Sequence, residues 1–292
     1  PRASARYRPC NGYYHIDHGE MIMRCRYRET VYRCGDYLEA HIYPVYRSAT
    51  SRRKKSKPTP ETQQRLNEKR AEGKFIRLLN ANFGSEDLKV ELTYSPEHLP
   101  ETDEEAAKEL RNFLRRVKRY RERYGLTELR YLAVTEKGSR SGRYHHHLVI
   151  SGGMSVRDLV DLWGKGIVGT DYLQLNENGL ADLGVYMMKQ VRSTPFKRKW
   201  TGSKNLIHPE PKQRDGRFSK RQVRELAKDT DDRTEFDKLY PGYRYSQAKV
   251  VYSDINGGWY IYARYYREEA EFLRRRKRTS SRPRSCAGRT SP

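Results

Sequence analysis

The residues best suited to chemistry fall in two places. One is the run Glu136-Lys-Gly-Ser-Arg-Ser-Gly-Arg-Tyr-His145-His146-His147-Leu-Val-Ile150; the other, further along, is Tyr186-Met-Met-Lys189. Side chains on a strand alternate between faces, so His145 and His147 point one way while His146 points with Leu148 and Ile150. Two imidazoles on neighbouring same-face positions can share one divalent ion, and Glu136, ending the preceding strand, can supply an oxygen. Neutral imidazoles with one carboxylate leave coordination positions open, as catalytic metal sites do. Mixed N/O ligation of this kind accepts Mn²⁺ and Mg²⁺. A one-residue slip in register would present His146 instead. Taken alone, the triplet reads equally well as a surface histidine cluster.

Tyr186 and Lys189 fit a helix over Leu180–Val191. Leu180, Leu183, Gly184, Met187, Met188 and Val191 fall on one apolar arc, which leaves Tyr186 and Lys189 on the other side near Asp182. A phenol, with a reference pKa of ~10, is a poor nucleophile at neutral pH. A lysine one turn away favours the phenolate and can bind a phosphate oxygen. On spacing alone the plainer reading is preferred: one of 23 tyrosines beside an ordinary surface lysine.

The elements that would position these groups alternate. Leu88–Tyr94 reads as a strand. Thr102 and Glu105 form a capping box for a helix to about Tyr124, with Ala106, Leu110, Phe113, Leu114, Val117 and Tyr120 as its apolar stripe. Leu129–Glu136 and Tyr144–Ser151 read as strands joined by a Gly/Ser/Arg turn. Ser155 and Asp158 cap a short helix to Trp163, and Asp171–Leu175 reads as a further strand. The order β-α-β-β-α-β-α predicts an α+β fold. Its sheet would be mainly antiparallel with helices on one face, a ferredoxin-like or RRM-like core, flanked by basic N- and C-terminal extensions.

Outside this core, residues 1–57 are rich in Arg and Tyr, with hints of short strands at Met21–Arg26 and Leu38–Val45, and end in a charged linker. Interleaved basic and aromatic residues can hold phosphates and stack on bases; they are equally the outer faces of small strands. A helix is expected from Pro60, capped by Thr59, to about Asn82. Residues 58–195 are the expected catalytic domain and 196–267 its C-terminal part or an accessory segment. That segment has a helix near Lys220–Ala227 and strands at Tyr245–Tyr252 and Trp259–Tyr266. Residues 268–292 form a basic tail of disordered composition.

The net charge of +23 points to a polyanionic partner, with nucleic acid preferred over a basic surface kept for solubility. The apolar runs are too short to span a membrane, and no signal peptide is visible, so an intracellular protein is expected. The four cysteines, at 10, 25, 34 and 286, form no CxxC pair. Cys10, His15, His18, Cys25 and Cys34 match no zinc-ligand spacing, and reduced cysteines are the preferred reading. No Walker A motif is present, so a helicase would have to come from elsewhere.

Three segments together resemble the HUH endonucleases, in particular the single-tyrosine rolling-circle replication initiators of small single-stranded DNA phages and plasmids. They are Leu92-Thr93-Tyr94 ending a strand, Glu136…Gly142-Arg143-Tyr144-His145-His146-His147, and Tyr186-Met187-Met188-Lys189 on a helix. The resemblance spans roughly residues 85–195 and departs from the family pattern at His146, where a hydrophobic residue is usual. It implies a metal-dependent nickase and strand transferase. Glu136, His145 and His147 would hold Mg²⁺ or Mn²⁺, Tyr186 would be the nucleophile and Lys189 its helper. The implied substrate is single-stranded DNA or a melted origin hairpin, and the implied setting the cytoplasm of a bacterial host, with its polymerase and helicase as partners. Thr93 would support the groove and Tyr94 would be packed. A relaxase or transposase with the same chemistry stays open, as does a non-catalytic RRM-like binding module using Tyr131 and Tyr144.

Overall fold

The computed structural model describes residues 24–47, 60–138, 142–190, 199–253 and 257–267. It begins with a long hairpin, β1 (Arg24–Cys34) and β2 (Tyr37–Arg47), turned at Gly35, whose φ of 61° suits only a residue without Cβ. Helix α1 (Pro60–Asn82) follows with the expected bounds; its expected cap, Thr59, lies outside the described residues.

The centre of the chain has the anticipated order: β3 (Leu88–Thr93), α2 (Asp103–Arg123), β4 (Tyr131–Lys137), β5 (Tyr144–Ile150), α3 (Val156–Trp163), β6 (Val168–Tyr172) and α4 (Ala181–Gln190). The Thr102 side chain accepts the Glu105 backbone N–H, and Ser155 and Asp158 form a reciprocal capping box. With β7 (Thr201–Gly202) the strands lie in the order β6-β3-β5-β4-β7, antiparallel throughout. The first four strands of that order are the ferredoxin-like arrangement.

As expected, α2 and α3 share one face of this sheet, where Leu110, Phe113, Val117 and Trp163 pack on Val90, Leu92, Leu148 and Ile150. The other face is also covered, however. Phe75, Leu78 and Leu79 of α1 and Leu180, Met187 and Met188 of α4 pack on Leu132, Val134 and Val149. The physical reason is that the stretches Leu132–Val134 and Leu148–Ile150 are apolar at every position, and such strands need cover on both sides. The expected strand at 171–175 instead runs over Val168–Tyr172. Leu173 and Leu175 leave the sheet to fill the α1–α4 core.

A second sheet has the order β8-β1-β2-β10-β9, joining the first hairpin to β8 (Lys212–Asp215), β9 (Tyr243–Ser253) and β10 (Gly258–Arg267). Helices α5 (Lys220–Lys228) and α6 (Arg233–Asp237) cover its far side with Val223, Leu226 and Phe236. On the near side Ile76 of α1 and Ala181 of α4 pack on Cys34, Tyr37 and Tyr266. The α1–α4 pair is therefore a shared layer between two sheets. Cys34 is buried and free, while Cys10, His15, His18 and Cys286 lie outside the described residues. Among the described residues no helix is long and apolar enough to cross a membrane.

Two contacts hold the shared layer in place. Gly184 of α4 faces α1 so closely that an added Cβ would stand 2.7 Å from Ile76 Cγ1 and 3.2 Å from Leu79 Cδ1. Alanine would gain up to about 1 kcal/mol in helix propensity, but overpacking costs about 1–3 kcal/mol. Gly184→Ala is expected to lower the melting temperature, measured by circular dichroism, because α1 cannot recede from two buried sheets.

The second contact is ionic. Glu39, buried on β2, accepts from His41 Nε2 at 2.5 Å, Arg77 Nη1 of α1 at 2.9 Å and the Tyr37 hydroxyl at 3.2 Å. Burial pushes its pKa up, but the His41 hydrogen bond and the charges of His41 and Arg77 outweigh this and hold it down at about 2. Its folded pKa is below the ordinary carboxylate value, so its stabilisation is present above that value and lost as pH falls toward 2. Unfolding by urea across this range should show Glu39→Gln less stable than wild type at neutral pH, with the gap closing on acidification by at most about 1.4 kcal/mol per pH unit.

Candidate active site

Apolar cover from α1 and α4 reaches only part of the central sheet. Toward the start of β5 the same face carries polar side chains instead. Strand register sets them in rows: Thr93, His145 and Glu136 pair across β3, β5 and β4, and Glu91, His147 and Val134 form the next row. Helix α4 passes this patch with its apolar arc on the core, which leaves Tyr186 pointing outward, 44% exposed.

His146 does not belong to the patch. It is fully buried on the α2–α3 face, with Nε2 2.7 Å from the Tyr94 hydroxyl and Nδ1 2.9 Å from Thr135 Oγ1. The rings of Tyr94 and Trp163 meet it edge-on. Burial lowers its pKa to about 3, with the neighbouring histidines acting in the same direction, so it stays neutral. The β3–β5 and β4–β5 pairings leave no slip that would turn it outward. Tyr94 is packed, as expected.

His147 is nearly buried, with Nε2 3.2 Å from Glu136 Oε2 and Nδ1 3.9 Å from Glu91 Oε2. Its ring meets that of Tyr186 edge-on, centroids 6.3 Å apart. Over the other part of the Tyr186 ring lies Lys89 Nζ, 5.5 Å from the centroid. The fold therefore gathers Glu136, His147 and Tyr186 on one face, from two strands and a later helix. Lys189 is exposed on the last turn of α4, and Thr93 donates to the Ile167 carbonyl at 3.3 Å beside His145. Sequence reasoning missed Lys89 and Glu91. Their signal was the alternation in Leu88-Lys-Val-Glu-Leu-Thr93, which sets Lys89, Glu91 and Thr93 on the face of His145 and His147.

Among the described residues no three His, Cys, Asp or Glu side chains stand together as a metal-ligand group. His145 shares the row of Glu136 without closing such a set. The donors present nonetheless suit a divalent ion. Two cis ligands with bonds of about 2.1 Å sit about 3 Å apart, close to the separation of His147 Nε2 and Glu136 Oε2. The Nδ1 atoms of His145 and His147 are buried and have no hydrogen-bond partner, so one imidazole nitrogen on each ring is left to be satisfied.

Residues 87–193 match a family model described as a replication-associated protein of the ORF2 type. The matched stretch runs from the start of β3 past α4 and contains every residue of this site. The similarity supports a part in initiating replication. No curated protein and no solved structure matches the chain.

Proposed function

We propose, from a site lying within a segment similar to replication-associated proteins, that the chain nicks and rejoins single-stranded origin DNA through Tyr186. The observation that carries this reading is the approach of an exposed tyrosine to a histidine–carboxylate pair on the same face of the sheet. The Tyr186 oxygen attacks the scissile phosphorus in line and the bond to the 3′ oxygen breaks. The proton lost by the phenol is balanced by one gained at the leaving 3′-hydroxyl. The product is a 5′-phosphotyrosine linkage and a 3′ end for a host polymerase. Because the bond energy is kept in that linkage, the same site can rejoin a strand without ATP.

Glu136, His145 and His147 would hold Mg²⁺ or Mn²⁺, His145 by turning its ring toward the other two. A bound ion would supply electrophilic stabilisation of the phosphate charge. Lys89 places positive charge over the nucleophile's ring, and Lys189, one turn on, is in position to hold a phosphate oxygen. The net charge of +23 draws the strand in. A host helicase would open duplex ahead of it.

The binding-module alternative needs exposed aromatics on the central sheet. Tyr144 is instead buried with its hydroxyl on Asp103 at 2.7 Å, and Tyr131 packs against the α2–α3 core. The test is incubation with origin-bearing single-stranded oligonucleotides and Mn²⁺. A denaturant-resistant protein–DNA adduct is expected, and its absence at every origin segment of the replicon would overturn the reading.

A further inference from the structure

The second sheet carries what the central one lacks. Its near face is covered by α1 and α4 only at the Cys34–Tyr37 end. Farther along that face His41 and Tyr43 of β2 stand beside Tyr260 and Tyr262 of β10, with His41 and Tyr262 directly paired across the strands. The Tyr43 and Tyr260 rings lie parallel, 8° between planes and 6.5 Å between centroids, and His41 meets Tyr262 edge-on at 5.0 Å. Tyr262 is 39% exposed, too much for a ring whose only role is packing.

The rim of this patch is basic. Lys249 pairs with Tyr262 from β9, and Arg26 lies two positions before Arg28, the partner of Tyr43; Arg26 and Lys249 are exposed. On the same face Asp215 is bonded to Arg28, and Glu39 is buried under His41 and Arg77. Aromatic faces in a row with cations at the edge are the chemistry that holds single strands: bases stack and phosphates meet the rim. A duplex cannot use such a surface, since its bases are already stacked. A second copy of this chain would fit poorly, because a two-fold contact would set the basic rims against each other.

We propose that this face of the second sheet, centred on Tyr43, Tyr260 and Tyr262, is a separate single-stranded DNA-binding surface. It is independent of the nicking reading, because it concerns binding alone and lies on a different sheet from Tyr186. The full chain, kept in chelator so that no strand is cut, is titrated against fluorescent oligo(dT) of about twenty nucleotides and a duplex of equal length. The Tyr43→Leu/Tyr262→Leu double variant keeps apolar bulk and loses the ring faces. It should bind oligo(dT) about fivefold or more weakly and the duplex within twofold, and Tyr43→Phe/Tyr262→Phe should restore the affinity.

Unchanged oligo(dT) affinity in the folded leucine variant overturns the proposal, as does an equal loss on duplex. A change from dimer to monomer in sedimentation with oligo(dT) binding intact would assign the face to self-association and overturn it too. Tighter binding of oligo(rU), lost in the variant, would overturn the assignment to DNA. Should the leucine variant fail to fold, photocrosslinking of the wild-type chain to bromodeoxyuridine-substituted oligo(dT) decides. Adducts must map to peptides containing Tyr43, Tyr260 or Tyr262, and adducts confined to the central sheet and α4 overturn the proposal.

Discussion

Tyr186→Phe is expected to abolish the covalent protein–DNA adduct and to lower the nicking rate at least about 10⁴-fold, a loss of about 5.5 kcal/mol in transition-state stabilisation. The reason is local. The substitution removes only the oxygen that would bond to phosphorus and keeps the ring that meets His147 and Lys89. With 44% of the residue exposed, little packing is lost, and the stability change should stay within about 0.5 kcal/mol. Oligonucleotide affinity should hardly move. The measurement is a denaturing gel of the adduct beside a thermal melt of the same sample. Persistence of the adduct in the phenylalanine variant would remove Tyr186 from the reaction and send the search to another hydroxyl.

His147→Ala has the second large expected effect: cleavage slower by about 10²–10³-fold or more, with oligonucleotide binding within about twofold of wild type. The asymmetry follows from position. His147 is nearly buried between Glu136 and Glu91, so it touches the chemistry and offers almost no surface to a passing strand. Its loss also leaves a cavity and two carboxylates without their imidazole, so a stability cost of about 1–3 kcal/mol is expected, and cleavage should be read well below the variant's melting temperature. Titration of Mn²⁺ into wild type and variant separates the roles: the wild-type rate should saturate and the variant's should not. Cleavage by His147→Ala at the wild-type rate would make the histidines structural.

The division between the two levels of information is visible residue by residue. Local patterns were legible. Pro60 opens α1, Thr102 and Ser155 cap α2 and α3, and alternation alone separates His146 from His145 and His147. These are contacts within a few residues of chain, and propensity and periodicity report them directly. Strand edges were less legible. Leu173 and Leu175 read as strand because they are apolar, although they fill a helix layer rather than a sheet.

Two features came only from the folded chain. The first hairpin pairs with β10, some two hundred residues away, and no local pattern in Tyr-rich sequence names its partner. Lys89 and Glu91 join Tyr186 and His147 because β3 lies beside β5 and α4 crosses that same face. By itself, then, the sequence determined which residues form each element, which side of a strand each histidine takes, and that the protein's charge suits a polyanion. Tertiary structure decided which elements meet: that α1 and α4 are shared between two sheets, that His147 rather than His145 sits against Glu136, and that the cation over Tyr186 is Lys89. The physical reason is that element formation depends on interactions over a turn or a strand's pleat, whereas the meeting of elements depends on burying apolar faces whose partners lie far away in the chain.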